Sequence, residues 1–199
     1  MTILDDAVED SASDSDRPTK KPRKVKNLPT PIPTGCDYVH VVLDLEKCNS
    51  NSWQMTLTNL AAVCLSDDTV PKQIGESFSK FACPPSSVVF STIHEQLTKI
   101  SRKTVEDADA PDIVLRHFIV WTEACVETHR EQRLRVNPHL ADRPIYVCLV
   151  GHNVVSCDLD LFFNSFAHYK ITTPASWKAV WYHVSKGLLT AAGARTIVS

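Results

Sequence analysis

Beyond Asp160 the chain has no aspartate and no glutamate, and residues 161–199 carry only Lys170, Lys178, Lys186 and Arg195 as full charges. Chemistry that needs converging carboxylates must therefore draw them from the earlier part of the chain. The seven cysteines, an odd count, include no C-x-x-C pair, and most sit inside apolar runs where a thiol behaves as a small hydrophobe. That usage fits a reducing, intracellular compartment, nuclear or cytoplasmic. No apolar run approaches the roughly 18 residues that cross a bilayer, so no membrane partner is expected. Residues 1–16 hold six acids, no Lys or Arg and no apolar h-region, which excludes a secretory signal.

What is present divides sharply. Residues 17–26 (RPTKKPRKVK) carry six bases and no acid, and five prolines between Pro18 and Pro33 keep this stretch extended. Residues 1–35 thus read as a disordered, charge-segregated tail. Its basic cluster is a nuclear-import signal or a phosphate-attracting patch, set against the plainer reading of a solvated linker. Ser11, Ser13 and Ser15, placed among acids, are candidate phosphate acceptors that would deepen the negative block. With 43% apolar and 22% charged residues in 199, the rest has the composition of one soluble globular domain with a real core.

The Val-rich run at 37–45 (DYVHVVLDL) has strand length and suits a strand buried on both faces. The run at 56–65 (TLTNLAAVCL) follows it across the polar NSNS at 49–52, which predicts an antiparallel hairpin. Residues 77–82 add a short third strand and 93–100 a short helix. The longest predicted helix covers 111–135, with Pro111 at N1 and Ile113, Val114, His117, Phe118, Trp121, Ala124, Cys125 and Thr128 on its apolar face. A strand at 145–150 and a helix at 158–168, with Leu159, Phe162, Phe163 and Phe166 on one face, complete the pattern. Strands first, then helix, strand and helix, predict an α/β domain with a mixed sheet flanked by helices.

Asp44 and Glu46, two apart on a strand, project to one face at the strand's C-terminal end, where α/β sheets hold ligands. Adjacent carboxylates repel unless a cation neutralises them, and hard oxygen donors favour Mg²⁺ or Mn²⁺. Asp158 opens a helix after another strand and is a third carboxylate that can converge there. Two ions ~3.5–4 Å apart would clamp the attacking and leaving oxygens of a phosphodiester. The bland alternatives are a strand running into a polar loop, a turn at His152 and Asn153, and Asp158 as a helix N-cap. Cys148, His152 and Cys157 lie close enough to suggest zinc, but their spacing matches no established finger and no fourth ligand is evident. His94, His117 and His129 read as helix-surface or satisfied core residues. Trp177 and Trp181, an i,i+4 pair near Val180 and Val184, read as core packing or as an apolar face for a partner.

The motif VVLDLE at 41–46 resembles the first motif of the DEDD exonucleases, the DnaQ-like family with a ribonuclease-H-like fold. The segment CLVGHNVVSCDLDLFF at 148–163 is similar to the second: a strand, then Gly-His-Asn, then Asp opening a helix. The six-residue step from His152 to Asp158 resembles the three-prime repair exonuclease branch. Ile93, His94, Leu97 and Thr98 resemble the family's IHG(I/L)T segment, with Glu95 in place of its glycine. These matches cover about 37–168. The resemblance implies that Asp44 bridges two Mg²⁺ or Mn²⁺ ions, that Glu46 holds the first and that Asp158 holds the second. It also implies that His152, Asn153 and Leu45 shape the substrate groove. The reaction it implies removes mononucleotides from the 3′ end of single-stranded DNA or RNA.

One departure is plain. The family's third motif, His-x4-Asp, supplies a general base and a fourth carboxylate, and no histidine here has an aspartate five residues later. A general base is worth typically ~10²–10⁴-fold. The resemblance thus implies an exonuclease-type domain over 36–168, a C-terminally incomplete fold and a divergent segment at 169–199. Two functions follow: a 3′–5′ exonuclease of impaired activity, or an inactive module that binds nucleic acid or a protein partner.

Overall fold

The computed structural model describes residues 35–48, 56–88, 90–152, 158–177 and 181–184. The charged tail, Asn153, Cys157 and most of the segment after Trp177 lie outside the described residues. The elements, in chain order, are β1 (Asp37–Cys48), β2 (Thr56–Ser66), β3 (Phe78–Phe81), α1 (Thr92–Thr98), α2 (Arg102–Glu106), α3 (Pro111–Val136), β4 (Ile145–His152), α4 (Asp158–His168) and β5 (Trp181–Val184). The strands form one sheet in the order β3-β2-β1-β4-β5. β1, β2 and β3 pair antiparallel, whereas β4 runs parallel to β1 and β5 parallel to β4. This is the mixed sheet flanked by helices that the element order predicts.

Period-two alternation decides what each face of β1 does. Val39, Val41, Leu43 and Leu45 point into the main core, while His40, Val42, Asp44 and Glu46 turn to the opposite face. That second face is only partly covered, with Cys36, Tyr38, Cys148 and Val150 buried in a smaller cluster. The expectation of a strand buried on both faces is therefore corrected: β1 is buried on one face and graded on the other, from buried Tyr38 to exposed Asp44. It also continues past Leu45 to Cys48, because the hairpin ladder with β2 extends that far.

The core forms where α3 and α4 cover the first face. Phe118 of α3 is fully buried, with the rings of Phe78, Trp121, Phe162 and Trp177 at 5.3, 5.5, 5.6 and 5.7 Å. Such pairs add roughly 0.5–1.5 kcal/mol each to area burial. The inward stripe of α3 is Val114, Leu115, Phe118, Thr122, Cys125, Val126 and His129, rotated from the expected one. Ile113, His117 and Ala124 are exposed, and Trp121 lies at the margin, its indole N–H donating to the Glu76 carbonyl at 2.9 Å. Trp177 stacks on Phe162 at 5.9 Å and 15°, so it is a core residue as expected. Trp181, by contrast, starts the parallel edge strand β5. Among the described residues no helix is long and apolar enough to cross a membrane.

At the N-terminal end of the parallel pair, Asp37 is buried between two arginines. Arg133 from the last turn of α3 and Arg143 from the β4 approach (3.2 Å) both pair with its carboxylate. Arg143 Nε also donates to the Gly35 carbonyl at 3.0 Å. Gly35 has φ +82°, in the left-handed region that glycine enters without a Cβ clash. This knot pins the start of β1 to α3 and β4.

Candidate functional site

The β1–β4 pairing ends at Val42↔Val150, yet both strands run on. β1 continues to Cys48 against β2, and β4 continues to His152 against β5. The two parallel strands therefore part company at their C-terminal ends, opening a crevice between Asp44 on β1 and the end of β4 at His152. The chain leaves β1 toward β2 on one side of this crevice and reaches β5 from β4 on the other, so it is a topological switch point. Open α/β sheets bind ligands at such points, outside the carboxyl ends of the strands.

Asp44 and Glu46 stand on the partly covered face of β1 at this end. Asp44 is exposed, and its cross-strand partner is Ala61, whose small side chain leaves the carboxylate room. Glu46 lies opposite Asn59, whose amide is occupied in donating to the Lys80 carbonyl at 3.2 Å. Leu45, between them, points the other way and is 6% exposed within the main core, so only its main chain can meet a ligand. His152 ends β4 and Asp158 opens α4, which brings both to the same end of the sheet by topology. Asn153 lies outside the described residues. Among the described side chains no three His, Cys, Asp or Glu converge on one point.

Directly after Glu46 the ladder slips. Glu46 pairs with Asn59 but Lys47 pairs with Leu57, leaving Thr58 as the extra residue of a β-bulge. Bulges sharpen local twist and re-aim side chains, and they concentrate next to active sites. Thr58 is fully buried, its carbonyl accepts from the Ala82 N–H at 2.9 Å, and its hydroxyl has no partner among the described atoms.

Helix α1 packs against this end of β1. Ser91 caps it by accepting from the His94 N–H at 3.1 Å, and Lys99 ends it in the left-handed conformation, φ 61°. The Glu95 carboxylate then accepts from the Arg102 N–H at 2.9 Å, joining α1 to α2. Burial pushes the Cys48 thiol up, with Arg102 pulling weakly the other way, so the end of β1 has a neutral thiol and a nearby guanidinium. His94 is a buried residue, as one of the sequence readings has it, and burial lowers its imidazole pKa. What the sequence did not signal is that α1 buries His94 while leaving Ile93 and Leu97 exposed.

No family profile matches the chain, and no curated protein matches it in sequence. Solved structures do. E. coli exonuclease I, in a zinc-ion-bound complex with single-stranded DNA, is similar at 14% identity over 80% of this chain and 30% of that chain, with TM-score 0.53. An exonuclease I complex with the inhibitor BCBP gives 13%, 80%, 31% and 0.54, and an ExoI/SSB-Ct complex gives 14%, 80%, 31% and 0.53. The chain spans about a third of the length of these structures. At such identity the likeness speaks for fold, and the fold is the ribonuclease-H-like one of the exonucleases, a mixed sheet flanked by helices.

Proposed function

We propose that this chain carries a DEDD-type 3′–5′ exonuclease domain acting on single-stranded DNA or RNA ends. The observation that carries the reading is the meeting, at one switch point, of the outward acids Asp44 and Glu46 with the strand end at His152 and the helix start at Asp158. The likeness to exonuclease I structures, one of them a complex with single-stranded DNA, supports the choice of substrate.

The donor chemistry fits a hard divalent cation. Two carboxylates share one open face of β1, and their mutual repulsion is relieved by a bound positive charge. Asp44 and Glu46, with Asp158 from the opposite lip, would hold Mg²⁺ or Mn²⁺. When bound, the ions supply Lewis acidity and charge neutralisation for attack on a phosphodiester. The chain's own part is placement. β1 fixes two carboxylates to one side of the crevice, and Asp158, at the start of α4, would supply the third. Hydrolysis adds water across the terminal linkage, leaving a shortened 3′-hydroxyl and a nucleoside 5′-monophosphate.

A second reading rests on a specific observation, the absence of His-x4-Asp within these residues. Without a general base and a fourth carboxylate, the domain would bind nucleic acid, or a protein partner, more than it would cleave. Under either reading residues 36–168 form the exonuclease-like unit, and the basic cluster at 17–26 serves nuclear import or phosphate contact. The test is Mn²⁺-dependent release of mononucleotides from a single strand labelled at its 3′ end, comparing the chain with Asp44→Ala. Release lost in the variant supports the exonuclease. No release from either, with the strand still bound, supports the binding module. Neither release nor binding sinks both.

A further inference from the structure

We propose that the outward row of α3 is where a second copy of this chain docks, the two α3 helices lying antiparallel about a two-fold axis near Val120. The sequence gives α3 more apolar positions than the core takes up. Val114, Leu115, Phe118, Cys125 and Val126 are buried toward the sheet. Ile113, His117, Val120 and Ala124 stand on the other side and are exposed, Ile113 at 38% and Val120 at 69%. Their steps of four, three and four residues set them in one row along three turns. The outward row of a surface helix is ordinarily charged, as this one becomes at Glu127, Glu131 and Arg135. Its first three turns instead have the spacing of a helix-pairing seam.

Charge decides what fits the seam. Arg116 and Glu123 are both exposed and lie seven residues apart on the same flank of the row. Arg116 has no ion pair among the described residues. Glu123 accepts from the Ser176 hydroxyl at 2.7 Å, and a carboxylate has further acceptor positions. A two-fold axis across an antiparallel pair brings each flank against the same flank of the other copy. With the axis near Val120, Arg116 of each copy stands level with Glu123 of the other, giving two ion pairs from one self-complementary patch. Val120 then meets Val120 at the axis, and Ile113 lies near Ala124 of the second copy, whose small side chain permits close approach. A parallel pairing would set Arg116 beside Arg116 and Glu123 beside Glu123, and the like charges oppose it. None of Asp44, Glu46 and Asp158 lies on α3, so the inference stands apart from the exonuclease reading.

The experiment is analytical ultracentrifugation of the full chain from about 1 to 300 µM, for wild type, Val120→Asp, Arg116→Glu, Glu123→Arg and the double variant Arg116→Glu/Glu123→Arg. The expected result is a dimer with a Kd of about 10–100 µM, in keeping with an interface smaller than the ~1,200 Å² of standard complexes. Val120→Asp sets two like charges together at the axis and should weaken the dimer by about 30-fold or more. Each single charge reversal should weaken it about tenfold, and the double variant, which rebuilds both pairs with the signs exchanged, should return to within about threefold of wild type. A wild-type chain that stays monomeric throughout overturns the proposal, whatever other partner the row has. A dimer unmoved by Val120→Asp overturns it as well and places the contact elsewhere. A dimer that Val120→Asp breaks, with the double variant no better than the single reversals, overturns the antiparallel arrangement.

Discussion

At the start of β1, Asp37 is buried and gripped by Arg133 and Arg143. Further along the same strand Asp44 is exposed, and no described Lys, Arg or His forms an ion pair with it. The same side chain on the same strand thus has two fates, set by parity and by which end of the parallel pair it occupies. Asp37 has the parity of the helix-covered face, where the C-terminal turn of α3 brings in an arginine. Asp44 has the parity of the partly covered face, at the end where β1 and β4 separate. A carboxylate whose counter-charge is built into the fold is a structural residue. One held at a switch point without such a counter-charge is available to a cation from solution.

Exchanging the two fates by mutation gives the largest contrast. Asp44→Ala is expected to lower Mn²⁺-dependent nucleotide release by about 10³-fold, the loss of several kcal/mol of charge stabilisation. Its unfolding free energy should stay within about 0.5 kcal/mol of wild type, since an exposed side chain is removed. Asp37→Ala should do the reverse, costing about 3 kcal/mol in chemical denaturation because two arginines lose their shared counter-charge. Arg143→Ala should cost less, about 1 kcal/mol, as Arg143 is the more exposed partner and Arg133 still pairs with Asp37. If Asp44→Ala proves the more destabilising of the two aspartate variants, the division of roles between the ends of β1 is wrong.

Acid should report on a smaller difference. Burial lowers the pKa of both His94, at the site end, and His129, on α3 facing the charges of Asp68 and Asp67. Below the ordinary value of 6.5 the unfolded chain takes up protons that the folded chain refuses, so stability present above 6.5 is lost as pH falls. The melting temperature should be level above pH ~6.5 and decline below it. His129→Gln should remove part of that slope, and the remainder belongs to His94 and the carboxylates. An unchanged slope in the variant would contradict the neutral, buried state of His129.

Much of this was legible in the sequence because the relevant patterns are local. The Val-rich run, the polar break at 49–52 and the Pro-started helix gave β1, β2 and α3, and acid-x-acid on a strand put Asp44 and Glu46 on one face. The misses arise where tertiary contacts decide. The face of α3 is rotated because Leu115, Thr122 and Val126 meet the sheet, whereas Ile113 and Ala124 were expected to. α2 is five residues long, held by the Ser101 cap, and is too short for periodicity to reveal. β5 is four residues whose strand character comes from pairing with β4, a long-range partner that no local pattern announces. Neither the crevice nor the bulge is a property of any one segment, since both arise from how far each pair of strands stays in register. The burial of His94 matches one of the two readings the sequence allowed, whereas Ile93 and Leu97 beside it are exposed.

The most direct test of the central claim, that the separated ends of β1 and β4 form a cation site, is anomalous diffraction from crystals of this chain soaked in Mn²⁺. The account predicts an anomalous peak within coordination distance of the Asp44 and Glu46 carboxylates, absent from crystals of Asp44→Ala. Density at those carboxylates with no anomalous signal, or a peak that persists in Asp44→Ala, would contradict it.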